Sequence, residues 1–115
     1  MDPGNWFNLD AAVAANEGAF MSCESLITAN FPECLKIGGG TFYGCTNLTT
    51  ISFPKCTTIQ NGAFLLCGFS KVSFPKVKNI GKQAFMMCSN LRSIVLPSTV
   101  TTLEEAVFTY CFQLS

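Results

Sequence analysis

CTNLTTISFPKCTTIQNGAFLLC, residues 45–67, holds the spacing that decides the fold. Pro54 follows Phe53, Ile59 stands five residues ahead of Phe64, and Cys67 stands three residues after it. The same spacings return along the chain. Phenylalanine recurs at Phe20, Phe42, Phe64, Phe85 and Phe108, at intervals of 22, 22, 21 and 23 residues. Three residues after each stands Cys23, Cys45, Cys67, Cys88 or Cys111. Pro32, Pro54, Pro75 and Pro97 keep step, each after a large apolar residue (Phe31, Phe53, Phe74, Leu96). Six residues before each Pro lies Leu26, Leu48, Phe69 or Leu91, and three before it Ala29, Ile51, Val72 or Ile94. Ile37, Ile59, Ile80 and Leu103 each precede the next Phe by five.

Counted from each Cys, the units are 23–44, 45–66, 67–87 and 88–110, with 111–115 opening a truncated fifth. A unit of 22 residues cannot bury its own apolar face. Stacked units bury those faces as one continuous core, which is a solenoid. Pro cannot continue a ladder and belongs at a strand end. One short strand per unit is therefore expected over 26–30, 48–52, 69–73 and 91–95, paired in parallel along the stack. The Ile-x-x-x-Ala-Phe-x-x-Cys stretches, Ile59 to Cys67 and Ile80 to Cys88, are expected as the opposite wall, in short strands or single turns. Unit three lacks one residue between Cys67 and Phe69, and unit four gains one between Pro97 and Leu103. Both changes are expected in loops. Residues 1–18 read as an N-terminal cap or degenerate repeat, and 19–115 as the repeats. Asp10 before the Ala-rich run Ala11–Ala15 suggests a short capping helix. The reading adopted is a mixture, a partial repeat with Trp6 and Phe7 tucked over the open end.

Leu48-x-x-Ile51-x-Phe53-x-x-Cys56 resembles the leucine-rich-repeat pattern L-x-x-L-x-L-x-x-N/C. With Pro54, Ile59 and Ala63-Phe64-x-x-Cys67 added, it resembles the BspA-like (Treponema pallidum type) leucine-rich repeats. The likeness covers residues 19–115. Val77 and Thr99 replace Cys at the N/C position, and Phe replaces Leu before Pro in three units. The resemblance implies a right-handed, curved leucine-rich-repeat solenoid with its strands on the concave side. It also implies a non-enzymatic binding module of the kind found on surface or secreted proteins.

Composition narrows the chemistry. Seven Lys+Arg balance seven Asp+Glu in 115 residues, so no basic field awaits a nucleic acid. Histidine is absent, which removes the commonest general base and metal ligand. No signal peptide or membrane-spanning run is visible in this chain. The cysteines lie about a repeat apart, too far for a Cys-x-x-Cys zinc site, and lack a His partner for nucleophilic work. Neighbouring rungs sit close enough for disulfides. A ladder of buried free thiols, beside a stacked phenylalanine spine, is the simpler reading. No cofactor and no catalytic residue is expected.

The outward strand positions are the candidate binding face: Thr28, Asn30, Thr49, Thr50, Ser52, Ser70, Lys71, Ser73, Arg92 and Ser93. Ile27 and Val95 flank them. Short hydroxyls suit either a solvated face or recognition of a protein or glycan. Lys71, Arg92 and Val95 interrupt the Thr/Ser columns, against an ordered-array binder. Glu33, Lys55 and Lys76 read as a solvated rim. Asn47-Leu-Thr49 is a lone glycosylation sequon, and Gly38-Gly39-Gly40 reads as a turn. An exposed C-terminal end, at Leu114, allows self-stacking or a homodimer as the structural alternative.

Overall fold

The structure, a computed structural model, describes residues 6–8, 14–15, 17–100 and 103–114. Among the described residues, five rungs contribute a three-residue strand to a first wall and four a two-residue strand to a second. The first wall holds β1 (Trp6–Asn8), β3 (Thr28–Asn30), β5 (Thr50–Ser52), β7 (Lys71–Ser73) and β9 (Ser93–Val95). The second holds β2 (Ala14–Ala15), β4 (Lys36–Ile37), β6 (Thr58–Ile59) and β8 (Asn79–Ile80). All pairing is parallel: β1-β3-β5, β7-β9 and β2-β4-β6-β8. This is the leucine-rich-repeat solenoid that the spacing and the resemblance imply.

Trp6 registers with Thr28 and Ala14 with Lys36, each 22 residues on. The N-terminal stretch therefore extends both ladders by one rung. Ala14–Ala15 is strand, which departs from the capping-helix reading and is what a partial repeat requires. Residues 9–13 and the packing of the Trp6 and Phe7 side chains lie outside what is described.

The first-wall strands begin two residues later than the apolar pattern suggests. Leu26, Leu48 and Leu91 donate their N–H groups to the carbonyls of Cys23, Cys45 and Cys88 at 3.1, 3.0 and 3.0 Å. Each leucine thus closes a turn while its side chain enters the core, and extended geometry starts after it. Leu103 differs from its counterparts. Ile37, Ile59 and Ile80 are buried, but Leu103 in the last rung is 48% exposed.

A third ladder runs through the corner around each phenylalanine. Phe20, Phe42, Phe64 and Phe85 donate N–H to the carbonyls of Thr41, Ala63, Ala84 and Val107 in the next rung, at 2.8, 2.8, 2.9 and 3.1 Å. The rings stack with centroids 5.3, 5.3, 5.5 and 5.8 Å apart along Phe20–Phe42–Phe64–Phe85–Phe108. A buried Phe contributes roughly 1.5–3 kcal/mol by area alone. The residue before Phe42, Phe64, Phe85 and Phe108 is small or branched because it is enclosed, whereas Ala19 before Phe20 is exposed. Ala63, Ala84 and Val107 are buried, and buried Thr41 satisfies its hydroxyl by donating to the Gly38 carbonyl at 2.7 Å.

One junction breaks the regularity. β5 and β7 do not pair, although the second wall and the corner continue across the same junction. The residue missing after Cys67 is in a turn, as expected, but its effect reaches the neighbouring strand.

Candidate recognition surface

On the first wall, inward and outward side chains alternate as the pleat requires. Ala29 and Val72 are buried, and Ile51 and Ile94 pack partly against the core. Thr49, Thr50, Ser52, Ser70, Lys71, Ser73, Arg92 and Ser93 are exposed, and Thr28 and Asn30 are half-buried. All ten candidate residues therefore lie on one wall. Its N-terminal half is uncharged, and Lys71 and Arg92 make the other half cationic. Among the described residues the one salt bridge is Lys55 Nζ–Glu33 Oε1 at 2.9 Å, out on the rim. Both its side chains are about half exposed, so it adds little stability.

The thiols form no part of this surface. Cys45, Cys67, Cys88 and Cys111 donate Sγ–H to the carbonyls of Phe20, Phe42, Phe64 and Phe85 one rung back, at 3.0, 3.2, 3.1 and 3.0 Å. Each of those carbonyls also accepts the N–H three residues ahead, so both lone pairs are used. Cys34 and Cys56 donate to the Lys36 and Thr58 carbonyls at 3.2 and 3.4 Å. All seven are free thiols. Burial pushes the Cys45 thiol up to about 11 and the Cys56 and Cys88 thiols up to about 12. Cys67 is raised well above 9.0 for the same reason. These groups stay protonated at neutral pH, which suits a packing role and not a nucleophile. No group of three or more metal-ligating side chains occurs among the described residues.

Two other surface features escaped the sequence reading. A groove of about 550 Å³ crosses the second wall, edged by Gln60, Asn61, Lys82, Glu17 and Glu104. Gly81 forms its floor, where a Cβ would come within 2.6 Å of the Asn61 backbone nitrogen. An apolar cleft lies at the corner between Leu66, Met87, Tyr110 and Phe112. Leu66, Met87 and Tyr110 hold φ of 66°, 61° and 63°, at the register where unit one has Gly44 at 77°. Left-handed backbone costs an L-residue roughly 1–2 kcal/mol. The residue two before each Phe is also left-handed: Gly18, Gly40, Gly62, Gln83 and Ala106. The glycines at both registers are the signal that could have revealed the corner. The turn reading of Gly38-Gly39-Gly40 agrees with this placement.

The BspA type leucine rich repeat region matches residues 14–115, in six copies. No curated protein matches the chain. A leucine rich cell surface protein from Faecalibacterium prausnitzii A2-165 superposes with a TM-score of 0.85 at 27% identity, over 96% of this chain and 30% of that one. A leucine-rich repeat protein from Bacteroides ovatus ATCC 8483 gives 0.67 at 23% identity, over 96% and 38%. A T. pallidum leucine rich repeat protein gives 0.60 at 22% identity, over 97% and 78%. The latter two support the fold alone. The chain spans less than two thirds of the first two relatives. Repeat proteins of this kind are generally non-enzymatic, and the family is one of interaction and surface-protein modules. No described helix is long and apolar enough to cross a membrane. By repeat spacing, rung architecture and a family match over residues 14–115, the chain belongs to the BspA type leucine-rich repeat family.

Proposed function

We propose that this segment is a recognition module that binds a protein or glycan through the exposed face of its first wall, in an adhesin-like or scaffolding role. The observation carrying this reading is the gathering of ten outward polar side chains on one wall, with Lys71 and Arg92 in no salt bridge among the described residues. Hydroxyls and amides offer both donors and acceptors, which suits the hydroxyls of a sugar or the polar rim of a protein. The patch sits near the low end of specific interfaces, so weak affinity or binding by repetition along a longer array is expected. The similar cell surface protein makes an extracellular ligand the first class to try.

The test is binding to glycan and protein arrays by wild type, Thr50→Glu/Lys71→Glu, and a second-wall control, Lys36→Glu/Lys78→Glu. The reading expects loss of binding in the first variant only. Equal binding by all three, or loss confined to the control, overturns it.

A second reading is self-association through the last rung. It rests on Phe112, Tyr110 and Leu103, which are 79%, 52% and 48% exposed. Light scattering of wild type and Phe112→Glu separates the two. A dimer that the substitution dissolves supports the second reading, and a monomer in both excludes it.

A further inference from the structure

We infer that the β5–β7 junction is a hinge in the first wall, about which the two halves of its face change their angle. Three independent observations meet there. The first is the missing ladder. At the other junctions Phe31 and Phe74 donate N–H to the carbonyls of Ser52 and Val95, at 3.0 and 3.1 Å. Thr50 and Ser93 donate to Ile27 and Ser70, at 3.1 and 3.3 Å. The equivalent bonds from Phe53 to Ser73 and from Lys71 to Thr49 are absent. The second is a loosened ring column. Phe31 and Phe53 stack at 5.1 Å and 13°, whereas Phe53 and Phe74 stand 6.1 Å apart at 26°.

The third is a local cause. Unit three is one residue short at its first turn, so Gly68 runs hard against the rung before it. A Cβ on Gly68 would collide with the Thr46 carbonyl oxygen. The same unit carries Phe69 where the others carry leucine, and its ring wedges edge-on between Phe64 and Phe85, 5.6 and 6.2 Å away. A larger side chain behind a shorter turn keeps β7 from pairing with β5.

Across this junction the other two ladders are intact. Thr58–Ile59 pairs with Asn79–Ile80, and Phe64 and Leu66 donate to Ala84 and Met86 at 2.9 and 3.0 Å. The Phe64–Phe85 stack keeps 5.5 Å and 7°. Two continuous walls and one open wall define an axis. Motion about it leaves the corner and second wall fixed and changes the angle between the uncharged β3–β5 half and the cationic β7–β9 half. The hinge stands without the recognition reading, but its use in fitting a ligand's curvature rests on it.

The experiment uses the free protein, so its outcome is separate from any binding result. Methyl relaxation dispersion and amide exchange are measured on wild type, Phe69→Leu, and a variant with Gly68-Phe69 replaced by Thr-Asn-Leu. The hinge predicts microsecond-to-millisecond exchange at Ile51 and Val72 and none at Ile59 and Ile80. It also predicts that the Phe53 and Lys71 amides exchange at least about tenfold faster than those of Phe31 and Phe74. Both signatures diminish in the variants that fold. Flat methyl profiles in wild type mean a static gap and overturn the proposal, even with fast amides. So does equal dispersion at Ile59 and Ile80.

Discussion

The corner and the first-wall face come from the same repeating unit, yet they obey opposite rules. At the corner each rung must present a ring at one register and a thiol three residues later, because the next rung's backbone bonds and stacks on them. On the face, the rungs present Thr, Ser, Lys, Arg or Asn with little consequence for the neighbours. Interior columns are fixed by contact with copies of themselves. Outward columns are free to vary, and that is where recognition can be written without cost to the fold.

The sharpest way to break this contrast is to strike the spine. Phe64 is fully buried and its ring packs against Phe42, Phe53, Phe69, Phe74 and Phe85. Phe64→Ala is expected to cost about 3–5 kcal/mol, read by urea denaturation. A loss below ~1 kcal/mol contradicts the interior role. Next comes alkaline pH. The folded thiols titrate above their unfolded value, so the unfolded chain loses protons first and stability falls as pH rises. Stability is level below about pH 8.5 and then declines by ~1 kcal/mol per raised thiol per pH unit, toward about 11 for Cys45 and about 12 for Cys56 and Cys88. Denaturation midpoints that stay constant from pH 8 to 11 would falsify the buried-thiol account.

Cys67→Ala removes the Sγ–H bond to the Phe42 carbonyl and leaves a small void, for an expected loss of about 1–2 kcal/mol. The corner also offers a comparison between neighbours. Leu66→Gly relieves a left-handed residue and changes stability by less than ~1 kcal/mol, whereas Leu65→Gly strips a buried side chain and costs at least ~2. At the small end, Thr50→Glu and Lys71→Glu shift stability by no more than about 0.5 kcal/mol. A larger loss means that the face is part of the fold.

The spine, the thiol column and the strand walls were legible because each residue at those registers is constrained by its copy a rung away. Four apolar registers repeat, and four repeats overdetermine a stack. The Sγ–H bonds were not legible, since nothing about Cys in a sequence distinguishes a donor from a filler. Leu66, Met87 and Tyr110 hid their backbone geometry because those residue types rarely adopt it. Leu103 kept the apolar register but not the burial, because the last rung has no described neighbour above it. The deletion before Phe69 was visible, but a loop change is expected to stay local, and here a rigid stack carried it into β7. On the face, the sequence located ten polar positions and could go no further. Nothing repeats there strongly enough to name a ligand.

The central claim is that interior columns hold the fold while the first wall reads the partner. The most direct measurement is an amide chemical-shift map of the protein titrated with the best ligand from the arrays. The account predicts shifts at Thr50, Ser52, Lys71, Ser73 and Ser93, with the amides of Thr58, Asn79 and Lys82 unmoved. Shifts concentrated at Asn61, Asn79 and Lys82 would place binding in the second-wall groove and contradict it.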